Sequence, residues 1–203
     1  MSKGLTVLKE NIWINNPVFV QILGICSTLA VTNNIRNTFI MTVSLAFVTS
    51  LSNLVISLTK TLIPKTVRMI IQTLVIAFFV IIVDLVLKAY IPDVSKALGP
   101  YVGLIISNCI VMGRAEAFAQ INPPFLSFWD GLISGVGYML VLLPISVIRE
   151  IMGFGTFLNI PVVPKSFTPW TLMIMAPSGF FMIAIYIWIA KSIKLRKQQE
   201  AKK

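Results

Sequence analysis

Apolar runs along the chain alternate with short polar interruptions, and the run lengths set the first expectations. Residues 1–16 are an amphiphilic lead-in, and Pro17 to Thr32 is apolar but only 16 residues long, interrupted by Gly24. A polar turn, Asn33 to Asn37, leads into a full-length apolar run from Thr38 to Thr59. The basic loop Lys60 to Lys65 contains Pro64 and precedes a second long run, Val67 to Tyr90, with Asp84 and Lys88 in its last third. Beyond the loop Ile91 to Lys96 lies another short segment, Gly99 to Gly113, of 15 residues, which runs into Arg114 and Glu116. Gln120 to Trp129, with Pro123 and Pro124, is a polar connection. Asp130 to Ile148 is a span with Gly135, Gly137 and Pro144, closed by Arg149 and Glu150. A Gly/Pro-rich stretch from Glu150 to Trp170 separates it from the last run, Thr171 to Ala190. About 20 apolar residues cross a bilayer as a helix. The pattern therefore predicts an all-α integral membrane protein, a single transmembrane domain over residues 1–203 with six transmembrane helices.

The order short, long, long occurs twice, over about residues 17–90 and 99–190. Three crossings per half place the second half in the opposite sense, so the pattern predicts two inverted three-helix repeats. In such repeats a pair of short or broken segments, here the first and fourth helices, marks the functional centre.

Composition agrees with a membrane location. The 203 residues are 57% apolar and 12% charged, with a mean hydropathy of +0.89, beyond what one soluble domain of this size needs. The net charge of +10 does not point to nucleic acid, because six of the 17 basic residues lie in the tail 191–203. A basic tail after a last span is what the positive-inside bias produces, and it suits anionic membrane lipid. With the N-terminus in the cytoplasm, 12 basic residues fall on the inner side and 5 on the outer, so N- and C-termini are both expected in the cytoplasm. A cleaved signal peptide is not expected, since no short apolar core with a small-residue cleavage site follows the lead-in. The absence of histidine excludes His-ligated haem or copper and a His proton relay on this chain.

Candidate chemistry concentrates in the two short segments. Cys26 and Cys109 are the only cysteines, and each lies in one of them beside small or polar residues: Gly24, Ser27 and Thr28 near the first, Ser107, Asn108 and Gly113 near the second. Buried cysteines are often inert packing residues. A disulfide, a metal-free thiol pair and half of a metal-ligand set all remain open. An iron–sulfur cluster usually takes four cysteines, so two more would have to come from a second chain. Asp84 and Lys88, at i and i+4, are either an intrahelical ion pair near a membrane edge or a carboxylate on a cation path. Arg114 and Glu116 are either paired charges at a helix end or residues that position a redox centre. Asp130 is either a helix-start acid or the mouth of an ion route. No nucleophile–base spacing, G-x-G-x-x-G or P-loop is present, which argues against a hydrolase or a nucleotide site.

Two strings then carry a resemblance. Leu23-Gly-Ile-Cys-Ser-Thr-Leu-Ala-Val-Thr32 and Gly103-Leu-Ile-Ile-Ser-Asn-Cys-Ile-Val-Met-Gly-Arg-Ala-Glu-Ala-Phe-Ala119 look like the two signature segments of the NqrD/RnfE family, as does Pro123-Pro124 followed by Asp130-Gly131. The resemblance covers essentially the whole chain. Ser27 stands where RnfE-type chains are expected to have proline, which favours the NqrD side. Membership implies a bacterial inner-membrane subunit of a six-subunit Na+-translocating NADH:quinone oxidoreductase, not active alone. It implies that Cys26 and Cys109 bind the iron of one intramembrane [2Fe-2S] cluster shared with a homologous, NqrE-like sister subunit. FMN, FAD and a further iron–sulfur centre would sit on other subunits, electrons would pass on to ubiquinone, and Na+ would be exported. Asp84 and Asp130 would match acidic positions associated with the ion pathway, with Asn108, Arg114 and Glu116 as supporting residues. The alternatives are an RnfE-type subunit of an ion-translocating ferredoxin:NAD oxidoreductase or, from other classes, a secondary transporter or a structural membrane subunit.

Overall fold

The computed structural model describes residues 23–64, 66–90, 99, 103–157, 160–161 and 175–200. The lead-in, Pro17 to Ile22, the loop from Ile91 to Lys96, most of the stretch before the last run and the final residues 201–203 lie outside the described residues. The α-helices among the described residues are α1 (Ile25–Val31), α2 (Ile35–Thr59), α3 (Arg68–Tyr90), α4 (Cys109–Arg114), α5 (Pro124–Phe154) and α6 (Ala176–Glu200). A π-helix, Ala115–Ala119, continues α4. A two-residue antiparallel pairing, β1 (Thr156–Phe157) with β2 (Ile160–Pro161), follows α5. Among the described residues α2, α3 and α5 are long and apolar enough to cross a membrane, and α6 carries a shorter apolar stretch, Pro177–Ile193.

Several boundaries differ from those expected, each for a local reason. α2 starts at Ile35, three residues early, because the Glu150 carboxylate accepts the Ile35 N–H at 2.6 Å. An acidic oxygen there replaces the missing intrahelical acceptor and meets the positive end of the helix. α5 starts at Pro124, not near Asp130: extended Pro123 ends the connection, and proline is well suited to the first helical turn. Asp130 is therefore not a helix-start cap. At the other end α5 runs past Arg149 and Glu150 to Phe154, where Gly155 takes the left-handed conformation at φ 65°. α6 continues through the basic residues to Glu200, since Lys, Arg and Gln are good helix formers.

The centre of the molecule is the antiparallel packing of α2 on α5. A Cβ added at Gly131 would lie 2.7 Å from Ser50 Cα, and one at Gly135 would overlap Ala46. Two glycines one turn apart thus let the backbones meet, the usual device for helix association in a membrane. Leu45, Val48, Tyr138, Val141, Leu142 and Ile145 fill the seam. α3 packs against α2 and presents Ile70, Leu74, Phe78, Ile81 and Leu85 outward.

Each half also holds the other. Arg149 of α5 donates to Thr32 Oγ1 at 2.5 Å and to Leu29 O at 3.5 Å, and Glu150 takes Ile35 N–H, so α5 fastens the turn between α1 and α2. At the opposite end of the pair, Ser57 of α2 and Lys60 just after it donate to Asn122 O at 2.7 and 2.9 Å, fastening the turn before α5.

Candidate functional site

In both short apolar segments a helix starts part-way along. In the first, Gly24 adopts φ 83° and α1 begins immediately after it. In the second, residues 103–106 form a helical turn, the chain opens at Ser107 and Asn108, and α4 starts at Cys109. Each cysteine therefore lies in the first turn of a new half-helix, where backbone N–H groups have no intrahelical carbonyl to meet. Both are free thiols and both are exposed on this chain, so neither an intrachain disulfide nor a packed apolar core accounts for them.

Behind the thiols the two breaks are joined. Asn108 Nδ2 donates to Ser27 Oγ at 3.1 Å, which links the residue before Cys109 to the residue after Cys26. Asn108 Oδ1 caps α4 by accepting Ile110 N–H at 3.0 Å. Ser27 Oγ lies 2.5 Å from Tyr138 Oη and 3.1 Å from Gly24 O. Thr28 Oγ1 donates to the same carbonyl at 2.7 Å, and Tyr138 Oη lies 3.2 Å from it. Ser27, Asn108 and Tyr138 are fully buried. The result is a polar knot facing inward and two thiols facing outward.

The expected acidic and basic residues separate into three groups. Arg114, at the end of α4, pairs with Asp130 of α5, with Nε–Oδ2 at 2.9 Å, and its guanidinium stacks 5.2 Å over Phe118. The Asp130 side chain is 0% exposed, so this carboxylate is neutralised inside the protein. Glu116, in the π-helix, pairs with Arg68 and accepts from Gln72 Nε2 at 2.9 Å, tying α4 and its π-helix to α3. Arg114 and Glu116 thus take different partners and not each other. Asp84 pairs with Lys88 at 2.6 Å, at i and i+4 as expected. It sits on α3 about 24 Å beyond Arg68 at 1.5 Å per residue, so Asp84 and Asp130 are not brought together.

Sequence reasoning did not single out Tyr138, Arg149 or Gln72 as functional. The available signal was weak: a tyrosine needs a partner for its hydroxyl inside a membrane, but nothing in its own helix names Ser27. Ser50 Oγ, Ser52 Oγ, Ser134 Oγ and both polar atoms of Asn53 are also buried, with no hydrogen-bond partner among the described residues.

A family model described as "Rnf-Nqr subunit, membrane protein" matches residues 5–187. The chain belongs to the Rnf-Nqr family. Relatives are named as the D-type subunit of Na(+)-translocating NADH-quinone reductase. The protein of that name from Pseudomonas paraeruginosa is 48% identical over 200 residues, covering 96% of this chain and 89% of the relative. That from Shewanella loihica is 48% identical over 201 residues, covering 97% and 95%. That from Shewanella piezotolerans is 48% identical over 202 residues, covering 97% and 96%. Near-complete coverage on both sides means that this Rnf-Nqr chain and those relatives match over nearly their whole lengths.

Among the described residues no group of three or more His, Cys, Asp and Glu side chains converges as a metal site. Two outward-facing free thiols beside first-turn amides fit half of a thiolate-ligated centre: the sulfurs suit iron, and their exposure leaves room for ligands from another chain.

Proposed function

We propose that this chain is the D-type membrane subunit of a Na+-translocating NADH:quinone reductase. We further propose that Cys26 and Cys109 are two of the four ligands of a [2Fe-2S] cluster completed by a homologous sister subunit. The observation that carries this reading is the exposure of both thiols at the starts of two half-helices held together from behind by the Ser27–Asn108 bond. In hydrocarbon, irregular backbone is tolerated only where it is buried or lines a site, and two such breaks meeting at cysteines mark that site. The cluster, when bound, supplies one-electron transfer at mid-membrane.

The chain's own residues have distinct parts in this scheme. Cys26 and Cys109 bind. Asn108 and Ser27 hold the two binding loops in register. Arg114 with Asp130, and Glu116 with Arg68 and Gln72, anchor the far end of the Cys109 half-helix to α5 and α3. Electron arrival would be coupled to sodium export by alternate opening of the two broken segments toward the cytoplasm and the outer side.

Asp130 remains a candidate for the ion route in a specific form. It can receive a cation only if Arg114 withdraws, and the unpartnered Ser50, Asn53 and Ser134 on the two packed helices offer neutral oxygens along that seam. Intramembrane polar groups of this kind mark ion pathways. Asp84, paired with Lys88 nearer the surface of α3, would serve at most as an outer station. The remaining architecture follows the same reading: a single domain of six crossings in two inverted repeats, with both termini in the cytoplasm of a bacterial inner membrane. The grouping of Lys60, Arg68 and Arg114 at one end of the helices supports that orientation. FMN, FAD and a further iron–sulfur centre would lie on other subunits of a six-subunit complex.

The test is NADH-driven quinone reduction by the assembled complex carrying Cys26→Ala or Cys109→Ala. Either substitution is expected to abolish electron flow to quinone while leaving NADH oxidation by an artificial acceptor intact. Normal quinone reduction in both variants would contradict the proposal.

A further inference from the structure

α5 takes hold of both cysteine-bearing half-helices, and it does so at three points. Asp130 pairs with Arg114 at the exit of α4. Arg149 donates to Thr32 Oγ1 and Leu29 O at the exit of α1. Between them Tyr138 reaches the place where the two breaks meet. At 1.5 Å per residue the intervals along α5 are about 12 Å from Asp130 to Tyr138 and about 16 Å from Tyr138 to Arg149. One continuous helix, locked to α2 by Gly131 and Gly135, therefore fixes the two far ends and the common near end of the thiol-bearing arms.

The near end is the decisive point, because the cysteines are there. Tyr138 acts on it in two ways. Its ring lies under Gly24: a Cβ at that position would be 3.0 Å from Tyr138 Cε2 and 2.8 Å from Ile110 Cδ1. Gly24 is thereby pressed between α5 and the residue that follows Cys109. Its hydroxyl completes the hydrogen-bond balance of the knot. Ser27 Oγ has one proton to give and two lone pairs to fill. If it donates to Gly24 O, it accepts from Asn108 Nδ2 and from Tyr138. If it donates to Tyr138, the phenol proton goes to Gly24 O. In both arrangements the phenol closes the circuit, and all four groups are buried, where an open valence is costly.

We propose that Tyr138 is a positioning residue that fixes the separation of Cys26 and Cys109. Through that separation it sets the reduction potential of the centre the two thiols hold; this second part rests on the shared-cluster reading above. Potentials of such centres respond to hydrogen bonding near the sulfurs and to solvent access. Both change if the two loops slide relative to each other.

The test has two arms. In the first, the full-length chain in lipid nanodiscs is spin-labelled at Cys26 and Cys109 and the distance distribution is measured by pulsed EPR. The expected result is a narrow distribution in the parent chain and a broadened or displaced one in Tyr138→Phe, which keeps the ring and loses only the hydroxyl. Ser27→Ala is the second variant and is expected to behave in the same way. An unchanged distribution in both variants would overturn the positioning role. In the second arm, the assembled complex carrying Tyr138→Phe is expected to keep its iron content while the g-values and midpoint potential of the membrane centre move. An unmoved signal alongside a broadened thiol distance would overturn the link to potential. If Cys26→Ser leaves iron unchanged, the shared-cluster reading fails, while the label distances still decide whether Tyr138 positions the thiols.

Discussion

At Gly24 two constraints meet in one residue. The backbone is left-handed, which costs an L side chain roughly 1–2 kcal/mol, and the space a Cβ needs is held by Ile110 and Tyr138. Gly24→Ala is expected to lower the thermal midpoint of the detergent-solubilised complex and to disturb the thiol site more than any distant glycine substitution. The buried ion pair makes a different prediction. Arg114→Met alone leaves the wholly buried Asp130 uncompensated, which costs about 3–5 kcal/mol. Arg114→Met with Asp130→Leu is expected to recover most of that loss, as measured by thermal melting. The double variant still loses sodium-dependent activity if Asp130 lies on the ion route. At this scale the sequence was partly legible. The two cysteines and Asn108 drew notice because thiols and amides are conspicuous in apolar segments, and the structure puts both thiols at the surface and Asn108 at the start of α4. The partners of Arg114, Glu116 and Ser27 could not, since each lies on another helix at a separation that no local spacing encodes.

Among the elements, the α2–α5 seam is the part least able to change. Gly131→Leu and Gly135→Leu would drive side chains into the backbone of Ser50 and onto Ala46, and neither variant is expected to accumulate in membranes. Gly103→Leu is the matched control, since among the described residues nothing lies within 4 Å of a Cβ there, and it is expected to accumulate normally. Equal levels of all three variants, measured by membrane immunoblot, would count against the packing described. The apolar runs foretold α2 and α3 within a few residues, because run length alone decides a span. The breaks within the short segments were also visible, through Gly24 and the polar residues around Cys109. The start of α5 was missed because Pro123-Pro124 reads as a loop signal, whereas its second proline opens the helix. The early start of α2 depends on Glu150, 115 residues away, and the π-helix at Glu116 has no pattern of its own.

Over the whole molecule the decisive asymmetry is between a polar knot turned inward and two thiols turned outward. A chain complete in itself would bury or pair those sulfurs; here they are exposed. A membrane-permeable maleimide is therefore expected to label both cysteines of the chain expressed alone and neither in the assembled complex. Labelling of both in the complex would place them away from any subunit interface. Each long central helix fastens the turn next to the other: α5 holds the turn between α1 and α2, and α2 holds the turn before α5. The most direct measurement is iron content with low-temperature EPR on the purified complex, comparing the parent chain with Cys26→Ser and Cys109→Ser. Each substitution is expected to remove the iron of one [2Fe-2S] centre together with its signal, while the other centres remain. Unchanged iron and an unchanged spectrum in both variants would contradict the shared cluster.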